Sequence, residues 1–322
     1  MPKFLNLLHE DHPHGNPDAQ VVVLLPGVGC GVRFWDNLLP TLKPDYRVVV
    51  FANPGVDGCP DAKVFTVNDL ALGVLSKLEE LGISRAHVIG HSMGGYIAQR
   101  LAGLRPDMVD RLVLISTSFG GRATDADIRH VLAHMLPIWP AQSKLLKTNP
   151  HEAFKFAVGR NTPTRNPQGY AAFVESRTNP RVPEKVYAAH FFCAIKFSSL
   201  AYVANIRQQT LVIHGNDDNI INVDGGRELA QRLPNARFLE KESGHIATYE
   251  VPDIYPDILA FLQGAAVGEK LAPLPPLSAA ELAEDMEWRR KRIGSLSMTA
   301  LFALSKGLPS GVKHLLSVFK SA

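Results

Sequence analysis

Cysteine is scarce in this 322-residue chain. Cys30, Cys59 and Cys193 are widely spaced and form no C-x-x-C pair, which excludes a disulfide framework or a cysteine zinc site and fits a reducing cytoplasm. Long apolar runs are missing too. No stretch reaches the roughly 18 residues that a spanning helix needs. The opening segment soon meets Glu10 and Asp11 and lacks an apolar run with a small-residue cleavage site, so export through a signal peptide is not expected. Charge of one sign is also in short supply. The formal net charge is +3, with no basic run interleaved with aromatics before about position 280, so a nucleic-acid partner is not expected. There is no H-E-x-x-H, no phosphate-binding P-loop and no Rossmann fingerprint, so no metal and no organic cofactor is assigned.

What is present is a large apolar fraction, 46%, enough to fill a substantial core. Short Val/Ile/Leu-rich runs alternate with segments of helical period, the pattern of an α/β fold whose mostly parallel sheet is flanked by helices on both faces. Strands are predicted at Gln20 to Leu25, Tyr46 to Phe51, Ala86 to Ile89, Arg111 to Ile115, Thr210 to His214 and Ala236 to Glu240. Phe34, Leu38, Leu39 and Leu42 mark one helix, and Val67, Leu70, Ala71, Val74, Leu78 and Leu81 mark another. Leu229, Ala230 and Leu233 mark a third, and Ile254, Ile258, Phe261 and Leu262 a fourth.

The rhythm breaks twice. Residues 121–205 turn irregular and rich in Pro, Asn and aromatics, as a helical cap inserted between two strands would. That insertion carries eleven Lys and Arg against five acids. After Leu262 a Pro-rich linker, Ala272 to Leu277, leads into a helical C-terminal extension, 265–322. The expected organisation is therefore a core of 1–120 and 206–264, the cap, and the extension.

The strongest chemical signal is Gly90-His91-Ser92-Met93-Gly94-Gly95, between the strand ending at Ile89 and the helical stretch Tyr96 to Leu104. A sharp strand-to-helix turn needs small residues two before and two after its apex, and Gly90 and Gly94 supply them. Such a turn leaves the Ser92 hydroxyl at a helix N-terminus, where free N–H groups favour developing negative charge. Here the sequence resembles the α/β-hydrolase family, over roughly Gln20 to Leu262.

The resemblance implies roles for further residues. In Leu24-Leu25-Pro26-Gly27-Val28-Gly29, Pro26 stands where family members commonly have histidine, and Val28 is the position whose backbone N–H joins that of Met93 in an oxyanion hole. The turn after Thr210 to His214 carries two acids. The family spacing selects Asp218 as the acid that orients the base, with Asp217 as the alternative, and Asn222 replaces the usual proline. Ser243-Gly244-His245 supplies the general base, so the chain order is Ser92, Asp218, His245. These residues imply a serine esterase or lipase-like hydrolase working through an acyl-enzyme, on a small ester with an apolar acyl group. A lactonase, thioesterase or acyltransferase would use the same triad, and a non-catalytic ligand-binding protein could keep the fold.

The extension is not explained by that resemblance. Ser278-Ala-Ala-Glu281 reads as a capping box opening a helix to about Ile293, followed by helical segments from Ser297 to Lys306 and around Val312 to Phe319. From Trp288 onward there are seven basic residues and no acid. Two readings follow: the segment packs on the body or on a second copy of the chain, or it adsorbs to an anionic lipid surface, giving a peripherally membrane-associated protein. Truncation before Trp288 separates them. A lipid anchor requires salt-sensitive co-sedimentation with anionic vesicles that disappears on truncation, each basic group contributing about 1 kcal/mol. A packing role requires a lower Tm on truncation and no vesicle binding by the intact chain.

Overall fold

The computed structural model describes residues 5–60, 65–121, 144–179, 181–287 and 290. The described residues form a seven-stranded sheet: β1 (His9–His12), β2 (Val21–Leu25), β3 (Arg47–Phe51), β4 (Ala86–His91), β5 (Val109–Ile115), β6 (Gln209–Gly215) and β7 (Ala236–Lys241). The spatial order is β1-β3-β2-β4-β5-β6-β7, parallel throughout except where β1 pairs antiparallel with β3. β2 through β6 read as near-continuous apolar runs because helices cover both faces of a parallel sheet. β1, His-Glu-Asp-His, has no such signal. It is a polar edge strand, recognised by its pairing of His9 with Phe51 and not by its own residues.

The helices of the body are α1 (Leu39–Leu42), α2 (Val67–Glu80) and α3 (Met93–Leu104). The segment between β5 and β6, where a cap is expected, adds α4 (Pro150–Phe154), α5 (Thr162–Arg165), α6 (Pro167–Thr178) and α7 (Glu184–Ala194), before α8 (Val223–Arg232), α9 (Ala247–Glu250) and α10 (Ile254–Leu262) follow among and after the last strands. Thr66 opens α2 with a complete capping box to Asp69, and the stripe Val67, Leu70, Ala71, Val74, Leu78 is buried in the core, with α2 lying beside α3. The single helix expected over Phe34 to Leu42 is instead a 3₁₀ turn, Val32–Trp35, followed by the short α1. Pro40 accounts for the break, since it has no N–H to give and its ring would collide with the carbonyl four residues back. No helix of the described residues is long and apolar enough to cross a membrane.

The cap leaves the body after β5 through Gly120 and Gly121 and rejoins it through Phe197 and Ser198, closed by Gly121 N–H to the Phe197 carbonyl at 3.1 Å. The start of the extension packs on the body. Glu269 exchanges backbone hydrogen bonds of 2.8 Å with Phe238 on the outer strand β7, and Leu277 and Leu282 pack against the core. Ser278 and Glu281 form the expected capping box, opening a helical stretch over 279–287. The rest of the expected tail, with the segments from Ser297 and Val312, lies outside the described residues, as does the cap between 122 and 143.

Candidate active site

The loops that leave β2, β4, β6 and β7 at their carboxyl ends share one rim of the sheet, the edge where open α/β sheets bind ligands. Register brings them together: Gly90 lies beside Leu25 on one side and Leu114 on the other. At the apex of the turn between β4 and α3, Ser92 holds φ 54° and ψ −119°. Side chains rarely adopt that backbone, and the neighbouring glycines show why it is reached here. A Cβ on Gly90 would run into the Gly94 carbonyl, and one on Gly94 into the Leu25 carbonyl. Ser92 is nearly buried. Its N–H donates to the Ile115 carbonyl at 2.9 Å, and its carbonyl accepts from Gly95 N–H and Thr117 Oγ1, each at 2.9 Å.

Met93 is the first residue of α3, so its N–H belongs to the opening turn, which has no intrahelical acceptors. Across from it, the turn after β2 closes by Cys30 N–H donating to the Gly27 carbonyl at 3.1 Å, with Val28 at its crest. Gly27 lies against the elbow: a Cβ there would sit 3.1 Å from Ser92 Cβ. Val28, which follows Gly27, and Met93, which follows Ser92, thus lie on the two turns that meet here.

Asp218 and His245 are brought together by the adjacent strands β6 and β7. His245 Nδ1–H donates to Asp218 Oδ2 at 2.8 Å, while Asp218 Oδ1 accepts from the N–H groups of Ile220 and Ile221 at 2.8 and 2.9 Å. The single Nε2–H of His214 is shared between the same Oδ2, 3.2 Å away, and the Ile221 carbonyl at 2.9 Å. Burial opposes a charge on the fully enclosed Asp218 carboxyl, but the facing His245 and the hydrogen bonds from His214 and His245 outweigh it and hold Asp218 well below the usual carboxylate range. Asp217 points elsewhere. It accepts from Arg160 N–H at 2.7 Å and pairs with the Arg160 guanidinium at 3.1 Å, tying the cap to the body.

A ring that gives its Nδ1 proton to a carboxylate keeps the lone pair on Nε2, the tautomer a general base needs. The His245 backbone is fixed from both sides: N–H to the Ala157 carbonyl of the cap at 3.1 Å, and carbonyl from His91 Nε2 at 2.9 Å. The His91 ring lies 4.9 Å from that of His245, which places His245 next to the residue preceding Ser92. Burial first, and the neighbouring His245 second, lower His91 to about 3, so it serves as a neutral donor and not as a second base.

The local motifs do not reveal the residue that holds this loop. Glu250, buried at the end of α9, accepts from Gly244 N–H at 2.9 Å and Ile246 N–H at 3.0 Å, the two peptides flanking His245. The same carboxylate accepts from Gly159 N–H at 2.8 Å and from Thr162 Oγ1, both in the cap. Its only trace in the sequence is an acid between the apolar residues that line α9 and α10. Replacing Glu250 by Ala strands several buried donors, so unfolding stability should fall by roughly 3 kcal/mol or more in urea titration. Glu250→Gln, which keeps one acceptor oxygen but turns an amide toward N–H donors, should fall between Ala and the native chain.

A family model described as the alpha/beta hydrolase fold matches residues 20–252. The chain is 27% identical over 278 residues to a protein of Stutzerimonas stutzeri (strain A1501) provisionally named carbamate hydrolase RutD, covering 78% of this chain and 94% of that protein. It is 26% identical over 273 residues to a poly(3-hydroxyalkanoate) depolymerase of Ectopseudomonas oleovorans, covering 81% and 90%. Among solved structures, the enol-lactonase from Burkholderia xenovorans LB400 superposes with a TM-score of 0.69 at 22% identity, covering 80% of this chain and 96% of that one, a likeness of fold. The matched span takes in both strained turn and paired acid and imidazole, and the chain belongs to the alpha/beta hydrolase fold family.

Proposed function

We propose that this chain is a serine hydrolase that cleaves carboxylic esters with an apolar acyl group through an acyl-enzyme on Ser92. The observation that carries the reading is the 2.8 Å hydrogen bond from His245 Nδ1 to the buried Asp218 carboxylate, set beside a serine held at φ 54°. In the proposed cycle His245 Nε2 takes the Ser92 proton as Oγ attacks the carbonyl carbon. The N–H groups of Val28 and Met93 stabilise the tetrahedral oxyanion, and His245 then protonates the leaving oxygen. Water, deprotonated by the same imidazole, releases the carboxylic acid and restores the serine.

Val28, a partly buried apolar residue at the proposed hole, is in keeping with an apolar acyl group. Lactones and carbamates present the same kind of carbonyl, and one relative is named for carbamate hydrolysis. A panel of p-nitrophenyl esters of graded chain length, beside lactones, acyl thioesters and carbamates, tests the substrate class. The highest kcat/KM is expected on an ester, and turnover confined to carbamates would reject that part of the reading.

Two outcomes test the residue roles. Ser92→Ala should lower kcat by roughly 10³-fold or more with Tm unchanged, and Asp218→Asn by about 10⁴-fold because an amide stabilises the wrong tautomer. Asp217→Asn should stay within a few-fold. The pH profile follows from the shifts above: Asp218 and His91 release their protons far below neutrality, so neither changes charge near neutral pH. The log of kcat/KM should therefore fall toward acid along a single limb of unit slope, and a limb of slope two above about pH 4 would contradict the assignment.

A further inference from the structure

The turn at Val28 is gripped from the cap by a buried cation. Arg177, on α6, donates from Nη2 to the Val28 carbonyl at 2.9 Å and to Tyr187 Oη at 2.8 Å. Its Nη1 donates to the Gly29 carbonyl and to Cys30 Sγ at 2.8 Å. His190, on α7, completes the grip: Nδ1 accepts the Gly29 N–H at 2.9 Å, while Nε2–H donates to the Pro54 carbonyl at 2.8 Å. From below, Asn53 Nδ2 donates to the Gly27 carbonyl at 2.7 Å.

A trans peptide is planar, so fixing its oxygen fixes the direction of its N–H. The Gly27 carbonyl is held by Asn53 and Cys30 N–H, and the Val28 N–H on the opposite edge of that peptide is aimed away from them. The next peptide is pinned at both ends, its oxygen by Arg177 and its N–H by His190. The donor at Val28 therefore cannot turn without breaking the Asn53 and Cys30 contacts or twisting against a following peptide that Arg177 and His190 hold.

The charge of Arg177 has a second consequence. Among the described residues its hydrogen bonds go to two carbonyls, a thiol and a phenol, and to no carboxylate. Burial pushes both the Cys30 thiol and the Tyr187 phenol up, so both stay neutral near pH 7. The rings of Tyr187 and Phe154, 5.1 and 5.9 Å from the guanidinium carbon, offer only quadrupoles. Burying a cation that donates to no carboxylate among the described residues is costly, and the proposed ester reaction creates a negative charge at the turn that it holds. We propose that Arg177, held by Tyr187 and assisted by His190, is a positioning residue that aims the Val28 N–H and whose positive charge stabilises the oxyanion formed at Ser92. This rests on the reading of Ser92 as the nucleophile.

The test compares Arg177→Lys and Arg177→Gln with the native chain on a p-nitrophenyl ester, and measures inhibition by an alkyl boronic acid, which forms a tetrahedral anion on a serine nucleophile. Gln should lower kcat by roughly 100-fold with KM changed only a few-fold, the size of losing an oxyanion donor. Lys keeps the charge but cannot fork across two carbonyls, so it should lie between the two. Boronate affinity should fall in step with kcat/KM. A variant with native kcat/KM and native boronate affinity would overturn the proposal, as would a loss confined to Tm or KM. If neither variant folds, His190→Leu against His190→Asn decides, because Asn retains an acceptor near the Nδ1 position. Leu should lose more kcat than Asn, and equal, native-like kcat in both would overturn the grip. Native protein that neither turns over the ester nor binds the boronate removes the Ser92 reading itself, before any substitution is made.

Discussion

Ser92 sits on a left-handed backbone that only its surroundings can enforce. Such a conformation costs about 1–3 kcal/mol, and here it is over-determined. The N–H of Ser92 is tied to β5, its carbonyl is tied to Thr117 and to α3, and Gly90 and Gly94 let the chain pass where any side chain would collide with backbone. Everything at the site is built outward from that turn. The β2 loop reaches it because Gly27 can lie against it, and His245 reaches it because His91, the residue before the serine, donates to the His245 carbonyl. One strained residue thus fixes the location of the proposed nucleophile, both backbone donors and the imidazole.

The cap enters this arrangement as structure. Ala157 accepts from the His245 backbone, Gly159 and Thr162 share Glu250 with the peptides on either side of His245, and Arg177 and His190 hold the Val28 turn. The described part of this segment therefore holds both His245 and the Val28 turn, the proposed proton acceptor and oxyanion donor. Swinging it away would break the hydrogen bonds that orient them. A body that binds its cap through buried backbone and a buried guanidinium is suited to a fixed, preorganised site, the condition under which oriented dipoles are most effective.

How much of this was legible in the sequence depends on how local each signal is. Ser92 is readable because glycines at two before and two after have one stereochemical reason to be there, and the flanking strand and helix can be recognised from their own residues. Asp218 and His245 each end a strand within a short motif, but choosing between Asp218 and Asp217 took the family spacing, since both acids share one loop and differ only in which way they face. The edge strand His9–His12 was missed because a polar strand has no apolar alternation to read. The helix drawn through Phe34 to Leu42 ignored what Pro40 does to a helix interior. Arg177, His190 and Glu250 act on partners 148, 161 and 91 residues away, and no local pattern in the sequence encodes such contacts.

The central claim is that the strained serine, and no other residue, is the nucleophile. A fluorophosphonate probe followed by peptide mass mapping tests it most directly, because the probe needs an activated serine and an oxyanion hole to react. The account predicts one adduct per folded chain, located on Ser92, and none on denatured protein. Folded protein that takes up no probe, or that carries the adduct on another residue, would contradict it.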